Sequence, residues 1–475
     1  MTEISSLPVA VIGAGPVGLA AAAHLIGRGL PVKIYEAGET AGTNVRDWGH
    51  VPLFSPWGYS SDVAARALLE RHGWAAPCAD GYPTGADLYE RYLAPLASTP
   101  EIAAVLSTGT RVTVITRRGA DKLASRDREA KPFVLNLESA VGQKSRELAR
   151  AIIDASGTWT NPNPLGADGL PVVGEAENAD RIAYGVPEVL GHDRDRYAGK
   201  AILVVGAGHS AANVLLDLAK LAEEVPGTAI SWVTRSANLT RVFGGGTADQ
   251  LPARGELGAD VKELVDSSRV ELVAGFSVGA VRREGERLVL TGETASGLRE
   301  LEPADRIIVA TGQRPDLSLT RELRLDLDPW IESAKALGPL IDPNLHSCGS
   351  VPPHGHRELA HPEPGYYTVG IKSYGRAPTF LMLTGYEQVR SVVAAIAGDM
   401  EAADNVQLVL PETGVCSSTP GGSTATQTES GCCGGPAPVG VEACCVADAV
   451  AKERTGAGCG CGTTNTQASR VPEPA

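Results

Sequence analysis

Residues 9–18 read Val9-Ala10-Val11-Ile12-Gly13-Ala14-Gly15-Pro16-Val17-Gly18, and this stretch decides the fold. Four apolar residues in a row suit a strand buried on both faces, as in a parallel sheet. A Gly-x-Gly-x-x-Gly spacing follows at once, and the alanine-rich run to about Gly29 predicts a helix. In such a turn the first glycine permits the tight bend. The second lets backbone N–H groups approach a pyrophosphate, and the third lets helix and strand pack closely. The helix N-terminus adds its positive dipole. Val32-Lys33-Ile34-Tyr35-Glu36 predicts a second strand, and Glu36 stands at its end, where a carboxylate accepts from ribose hydroxyls. Gly13, Gly15, Pro16, Gly18 and Glu36 are therefore candidate dinucleotide contacts.

The same plan occurs again. Ala201 to Val205 is a second apolar run, followed by Gly206-Ala207-Gly208-His209-Ser210-Ala211, a helical stretch through Leu221 and a strand-like run Ile230 to Arg235. Ala211 takes the place of the third glycine, which the pattern allows. The second strand here ends in Arg235 rather than an acid. A carboxylate repels a 2′-phosphate and a guanidinium pairs with it bidentately, so this turn favours NADPH over NADH. Gly206, Gly208, His209, Ser210, Ala211 and Arg235 are the candidate contacts, with Ser236 and Arg241 in support. Each copy continues into strand-like runs. In the first they are Arg111 to Thr116, Pro132 to Glu138 and Ala151 to Asp154. In the second they are Val270 to Val273, Phe276 to Arg283, Arg287 to Thr291 and Arg306 to Val309. Each copy closes on a small residue and glycine, Ser156-Gly157 and Thr311-Gly312. Two matches in one order point to parallel α/β sheets, each with a β-meander.

Composition narrows the rest. The chain has 475 residues and a net charge of −14, which argues against nucleic acid and against an anionic membrane surface. Residues 4–27 carry no Asp, Glu, Lys or Arg, but Gly13, Gly15, Pro16 and Gly18 interrupt the run, so no membrane span is expected. Met1-Thr2-Glu3-Ile4 has neither a basic n-region nor a small-residue cleavage site, and a cytoplasmic protein is the default. Only Cys78 and Cys348 precede residue 410, which excludes a disulfide-stapled scaffold. Residues 42–100 are extra in the first copy and rich in Trp, Tyr, Pro and Gly. They read as loops and short helices over a cofactor, with Arg46 and Trp48 as candidate contacts. A strand near Tyr366 to Gly370 and a helix through Phe380 to Ala397 complete the regular structure. From Pro411 the chain is Gly/Ser/Thr/Pro-rich and reads as a flexible tail.

Two dinucleotide segments in one chain resemble the two-dinucleotide-binding flavoproteins, which include thioredoxin reductases and flavin-containing monooxygenases. The resemblance spans roughly residues 7–400. It implies two Rossmann-like domains, FAD in the first and NADPH in the second, with Ser156-Gly157 and Thr311-Gly312 linking the domains and touching the cofactors. A small-molecule or metalloid substrate and a homodimer are the partners it implies. It also implies a closing helix near the flavin, after Gly370-Ile371-Lys372-Ser373-Tyr374-Gly375-Arg376. Gly370 is a candidate cofactor contact. Lys372, Tyr374 and Arg376 are candidate catalytic groups, since a cation there stabilises anionic reduced flavin. The domains are placed at 1–195 with 314–410 for FAD, 196–313 for NAD(P)H, and 411–475 for the tail. No Cys-x-x-Cys pair exists before residue 410, which disfavours a thioredoxin-reductase mechanism. The sequence further resembles flavin-binding monooxygenases associated with bacterial arsenic resistance. Val51-Pro52-Leu53-Phe54-Ser55-Pro56-Trp57, Phe243-Gly244-Gly245-Gly246, His346-Ser347-Cys348-Gly349, Lys372-Ser373-Tyr374-Gly375-Arg376-Ala377-Pro378 and Thr384-Gly385-Tyr386-Glu387-Gln388 carry that likeness, and Cys432-Cys433-Gly434-Gly435-Pro436 with Cys444-Cys445 resemble the cysteine-rich ends of metalloid-resistance proteins. Tyr184-Gly185 is a loose stand-in for the monooxygenases' aromatic-x-Gly linker.

Two cysteine or histidine clusters remain. His346, Cys348, His354, His356 and His361 lie close together along one Pro-rich stretch. A soft-metal site is one reading; a stiff loop over the flavin, its histidines bonded to backbone or to substrate, is the preferred one. In the tail, Cys432-Cys433, Cys444-Cys445, Cys459 and Cys461 crowd together, and with Cys416 make seven cysteines after residue 410. Such thiolates suit a thiophilic metal or metalloid. Three functions follow: an NADPH-dependent FAD monooxygenase, a flavoprotein reductase for a metalloid or disulfide carried by the tail, or a metalloid-binding or sensing protein regulated by flavin domains.

Overall fold

The structure is a computed structural model that describes residues 4–346, 351–378 and 380–411. All of them fall in one compact unit, Met1–Ser417. The expected tail, with Cys416, Cys432, Cys433, Cys444, Cys445, Cys459 and Cys461, lies outside the described residues, as does Cys348.

The first sheet is parallel throughout. Its strands are β1 (Val9–Ile12), β2 (Val32–Tyr35), β3 (Leu106–Ser107), β7 (Ala151–Asp154) and β16 (Tyr366–Thr368), in the order β16-β7-β1-β2-β3. The second has β8 (Ile182–Tyr184), β9 (Ala201–Val205), β10 (Ala229–Thr234), β11 (Glu271–Ala274) and β15 (Arg306–Val309), in the order β11-β10-β9-β15-β8. The two orders superpose strand for strand except for where the last strand comes from. β16 reaches the first sheet from far downstream. β8 reaches the second from upstream of residue 196, earlier than the sequence placed that segment's start.

Period-two alternation explains the continuous apolar runs. Val9 and Val11 join the core beneath the first helix, α1 (Pro16–Gly27), whereas Ala10 and Ile12 join Phe133, Leu135 and Leu137 of a three-stranded meander on the other face. That meander is β4 (Thr110–Arg117), β5 (Phe133–Ser139) and β6 (Lys144–Ala149). In the second half Ile202 and Val204 face the helix α2 (His209–Glu224). Leu203 and Val205 face Phe276 and, in the meander β12 (Ser277–Glu284), β13 (Arg287–Thr294) and β14 (Gly297–Glu300), Val278 and Leu290. Helix α3 (Pro252–Asp266) packs on α2, and helix α4 (Met382–Ala397) packs on α1. Ala20, Ala21 and Ala22 of α1 are fully buried, so this helix is alanine-rich because sheet and α4 press it from both sides.

Three parts of this frame are not read from pattern. β6 and β14 are solvent-facing edge strands with no hydrophobic alternation to mark them. Helix α3 begins at Pro252, a first-turn proline, but its apolar face is thin. Glu363 is also unmarked. It is buried and accepts from Arg117 Nε at 2.8 Å, Arg128 Nη2 at 2.8 Å and the Arg324 N–H at 3.0 Å. This tie holds the segment leading into β16 against the first meander. Among the described residues no helix is long and apolar enough to cross a membrane.

Candidate functional site

Both glycine turns are built by the same contact. Gly13 has φ +93°, and a Cβ on it would lie 2.6 Å from the Ala155 carbonyl oxygen. Gly206 has φ +136°, and a Cβ there would lie 2.2 Å from the Ala310 carbonyl oxygen. The segments Ala155-Ser156-Gly157 and Ala310-Thr311-Gly312 thus press on equivalent glycines, which is why both copies need small residues there. Gly18 closes the first helix onto its strand, since its Cβ would meet the Gly13 oxygen at 2.0 Å. Ala211, its counterpart, is fully buried in the core under α2.

The middle glycines behave differently. A Cβ on Gly15 or Gly208 would meet nothing within 4 Å. Each precedes a helix whose N-cap makes no side-chain hydrogen bond, with Pro16 first in α1 and His209 then Ser210 first in α2. Side-chain-free space over uncapped backbone N–H groups is a cradle that fits a pyrophosphate. Glu36 sits beside the first cradle, its Oε2 accepting from the Ala14 N–H and its Oε1 from the Gly38 N–H, both at 2.7 Å. Each oxygen keeps a further lone pair for a ribose hydroxyl. Beside the second, Arg235 follows β10, is exposed, and donates from Nη1 to the Ala167 carbonyl at 2.8 Å. Trp232 steadies that turn by donating from Nε1 to the Gly206 carbonyl at 2.7 Å. Arg241 donates to the Pro343 carbonyl, and Arg46 lies over the Tyr89 ring. Trp48 packs under Gly85, whose Cβ would come within 2.6 Å of it.

Behind the first turn lies a buried charge pair. Lys372 and Asp154 are 1% and 0% exposed, and Lys372 Nζ donates to Asp154 Oδ2 at 2.8 Å and to Ser156 Oγ at 2.9 Å. Ser156 Oγ donates to Asp154 Oδ1 at 2.6 Å, and Tyr366 OH donates to Oδ2 at 3.0 Å. Burial alone would raise the Asp154 pKa. The Lys372 ammonium and the donors from Ser156 outweigh it and hold the carboxyl below its ordinary value. Burial pushes the Tyr366 phenol far up.

A second network fixes the turn at Gly370. Its N–H donates to Gln388 Oε1 at 2.8 Å, Gln388 Nε2 donates to Ser373 Oγ at 2.9 Å, and Ser373 Oγ donates back to the Gly370 carbonyl at 2.7 Å. Gln388 Nε2 also lies 3.3 Å from His354 Nε2, and His354 Nδ1 lies 3.0 Å from the Pro352 carbonyl. A carbonyl only accepts, so Nδ1 carries the proton and Nε2 accepts. Burial lowers the His354 pKa, in keeping with this neutral tautomer.

The three candidate catalytic groups do not converge. Lys372 points into the buried pair, Tyr374 is buried beside His354 and Phe380, and Arg376 is exposed near Gly169. What does converge is a small chamber whose walls include Phe54, His209, Arg254, Tyr374, Phe380 and Thr384. His209 comes from the second glycine turn. Thr384 comes from α4, the helix packed on α1, so both halves of the repeat reach this space. His209 stacks on Phe54 with ring centroids 4.7 Å apart. The ring keeps an exposed edge, but crowding of its inner face and then the Arg254 cation push its pKa down. Arg254 is buried and doubly bonded to Asp249, with Nε–Oδ2 and Nη2–Oδ1 both at 2.7 Å. Nothing local in the sequence marks Arg254, Asp249 or Trp232. The spacing of the repeat could have singled out Trp232 as a neighbour of Gly206.

In the histidine-rich loop the described contacts include backbone carbonyls and one carboxylate, and Cys348 lies outside the described residues. His346 Nε2 meets the Pro339 carbonyl and His356 Nε2 meets Asp404. Among the described residues no group of three or more His, Cys, Asp or Glu can hold a metal.

A family model described as pyridine nucleotide-disulphide oxidoreductase matches residues 7–361. No curated protein sequence matches the chain. Solved structures share the fold at low identity. Bacillithiol disulfide reductase from Bacillus cereus is 18% identical with a TM-score of 0.61, covering 82% of this chain and 99% of that one. The cadaverine monooxygenase of desferrioxamine biosynthesis from Erwinia amylovora, bound to FAD, is 13% identical with a TM-score of 0.58, covering 88% and 99%. A flavin-containing monooxygenase from Stenotrophomonas maltophilia is 21% identical with a TM-score of 0.51, covering 82% and 98%.

Proposed function

We propose that this chain, which belongs to the pyridine nucleotide-disulphide oxidoreductase family, is an NADPH-dependent FAD oxidoreductase of monooxygenase type. The family is FAD- and NAD(P)-dependent. The observation that carries the reading is the pair of open glycine cradles at Gly15 and Gly208, built by the same contact in both halves. FAD is assigned to Gly13, Gly15, Pro16, Gly18 and Glu36, with Arg46, Trp48, Ser156, Gly157 and Gly370 around it. NADPH is assigned to Gly206, Gly208, His209, Ser210, Ala211 and Arg235, with Thr311 and Gly312 behind. Bound FAD supplies hydride acceptance from the nicotinamide and onward delivery of electrons. The protein's part is positional. Asp154 and Lys372 lock the Ser156 turn, the Gln388 network locks Gly370, and Phe54, Tyr374 and Phe380 keep water from the chamber.

Oxygen as the electron acceptor is supported by the sequence, which offers no spaced cysteine pair before residue 410, and by the monooxygenases among the fold neighbours. Anaerobic addition of NADPH to the FAD-loaded protein is expected to bleach the visible flavin band. An oxygen pulse is then expected to give a persistent absorbing species before the oxidised spectrum returns. Immediate reoxidation with stoichiometric peroxide would count against monooxygenation. In the same assay Arg235→Ala is expected to raise KM for NADPH about 10- to 100-fold, the weight of a lost bidentate charged contact, with little change for NADH. Equal effects on both dinucleotides would remove the 2′-phosphate role.

A second reading is favoured by the seven cysteines that follow residue 410. The protein would be a reductase for a metalloid or disulfide carried by those thiols, in an arsenic-resistance setting, since soft sulfur ligands select such ions. Deleting residues 412–475 separates the readings. Loss of metalloid-dependent NADPH oxidation with FAD reduction intact favours the thiol-linked reductase, and unchanged turnover leaves the tail a separate binding segment. Steady NADPH oxidation without metalloid argues against a purely sensing role. Cytoplasmic location and a homodimer belong to the same proposal.

A further inference from the structure

We propose that Asn163 and Arg314 are positioning residues. They clamp the two chain crossings between the halves into one ribbon, which fixes the FAD cradle relative to the NADPH cradle and so sets the rate of hydride transfer. Their role rests on the redox function proposed above.

Among the described residues the chain crosses between the halves twice. Ile152 and Ile153 of β7 lie in the cores of the first half, and Leu165 lies in the core of the second with Leu203 and Ile307. Val309 of β15 belongs to that same second core, and Leu319 is back in the first with Ala10 and Ile12. Each crossing starts from the residue that presses on a cradle, Ala155 against Gly13 and Ala310 against Gly206. A displacement of one crossing along the other therefore moves one cradle against the other.

The crossings lie side by side and antiparallel, with Pro162 opposite Gln313. The Asn163 N–H donates to the Gly312 carbonyl at 2.9 Å, and the Arg314 N–H donates to the Asn161 carbonyl at 3.0 Å. Pro162 falls between these bonds, where the pairing asks for no N–H. Backbone pairing this short is weak alone, since even a full two-stranded hairpin is marginal in water. Side chains supply the rest. Asn163 Nδ2 donates to the Thr311 carbonyl at 3.0 Å, and Thr311 Oγ1 donates to the Asn163 carbonyl at 3.1 Å. Asn163 Oδ1 accepts from Arg314 Nε at 3.0 Å. Arg314 Nη2 reaches on to the Gly169 carbonyl at 2.9 Å, just past Leu165. One amide thus holds Thr311 and Arg314 together, and one guanidinium ties the return crossing to two points on the outward one. Both side chains are half-buried, and neither is assigned to a cofactor.

Hydride transfer depends on this alignment. A C–H bond of the nicotinamide breaks with its electron pair as an N–H bond forms on the flavin, so NADPH is oxidised and FAD reduced. The reacting atoms must approach to about 3–3.5 Å, and a misplacement of about 1 Å from a distant change costs on the order of 100-fold. A loosened ribbon leaves each cradle intact, so it lowers rate and spares affinity.

The test compares Asn163→Ala and Arg314→Met with the unaltered FAD-loaded full chain. Anaerobic reduction by saturating NADPH is followed by stopped flow at the flavin band, NADP+ binding by calorimetry, and FAD per chain by absorbance. Each variant is expected to slow reduction about 10- to 100-fold and to keep NADP+ affinity and FAD content within about twofold. Hydrogen exchange reads the ribbon apart from turnover. In both variants the amides at 163 and 314 are expected to exchange at least about tenfold faster, while those of β1 and β9 keep their protection. A purely structural role predicts instead less FAD bound and a lower melting point, with normal reduction of the flavin that remains. Reduction within about twofold of the unaltered rate in both variants, losses of affinity that match the loss of rate, or unchanged exchange at 163 and 314 overturns the proposal. Absence of any reduction in the unaltered protein overturns the redox function and this role with it. Normal reduction there, with variants that are not slowed, overturns this role alone.

Discussion

Gly15→Val is expected to empty the first dinucleotide site and leave the fold nearly untouched. Gly15 has φ −76° and ψ −172°, a conformation any residue adopts, and a Cβ there meets nothing within 4 Å. The protein alone therefore has no reason to need glycine at this position. A bound pyrophosphate does, because the added methyl groups would occupy the space over the uncapped N–H groups of α1. FAD affinity is expected to fall about 10- to 100-fold or more, the scale of an overpacked contact, and the folded apoprotein is expected to keep its thermal midpoint. Gly208→Val should do the same to NADPH and spare FAD, since Gly208 is equally extended and equally open. Gly18→Ala is the contrast. Its Cβ would sit 2.0 Å from the Gly13 oxygen, so that change should lower stability whether or not FAD is present. Flavin retained per chain after gel filtration, with melting of the apoprotein, reads all three. Full FAD retention in Gly15→Val would mean that the first turn holds no dinucleotide.

The contrast between Gly15 and Gly18 also shows what the sequence could and could not display. Strands β1, β7, β9 and β15 are legible because both faces are buried, leaving unbroken apolar runs between a turn and a glycine. The doubling of the plan makes the turn at Gly206 legible although its third glycine is alanine. β6, with Lys144, Ser145, Arg146 and Glu147 all exposed, has no periodic signal, since one face meets water and the other is an edge. The site divides in the same way. Backbone-driven contacts, the glycines and the small residues at 155–157 and 310–312, leave a mark in composition. Contacts made by long side chains across the fold do not, and Arg254 with Asp249, Trp232 with Gly206 and His354 with Gln388 are of that kind. Lys372 was legible as a cation near the closing helix, but its partner Asp154 lies 218 residues away and only the fold brings them together.

That pair sets the other large effect. Lys372→Met is expected to cost about 3–5 kcal/mol of stability at neutral pH, the range for removing one partner of a buried ion pair. Asp154 would stay buried with Ser156 and Tyr366 as donors and no cation. Asp154→Asn combined with Lys372→Met removes both charges and is expected to recover much of the loss. The pH dependence gives the sign. In the intact protein the Asp154 pKa is lowered, so the stability it contributes is fully present above its unfolded value of about 3.9 and is lost as pH falls through the folded value. In Lys372→Met burial is no longer outweighed, and the carboxyl pKa moves up. That carboxyl takes up a proton on acidification and relieves the uncompensated charge, so the gap between the two proteins should narrow from pH 7 towards pH 4. Urea unfolding across that range measures it. A cation acting only on reduced flavin predicts the opposite pattern: normal stability at every pH, full FAD binding and a slower reduction by NADPH. Finding that pattern would return Lys372 to the catalytic groups, whereas a pH-dependent stability gap that the double variant closes assigns it to holding the Ser156 turn in place.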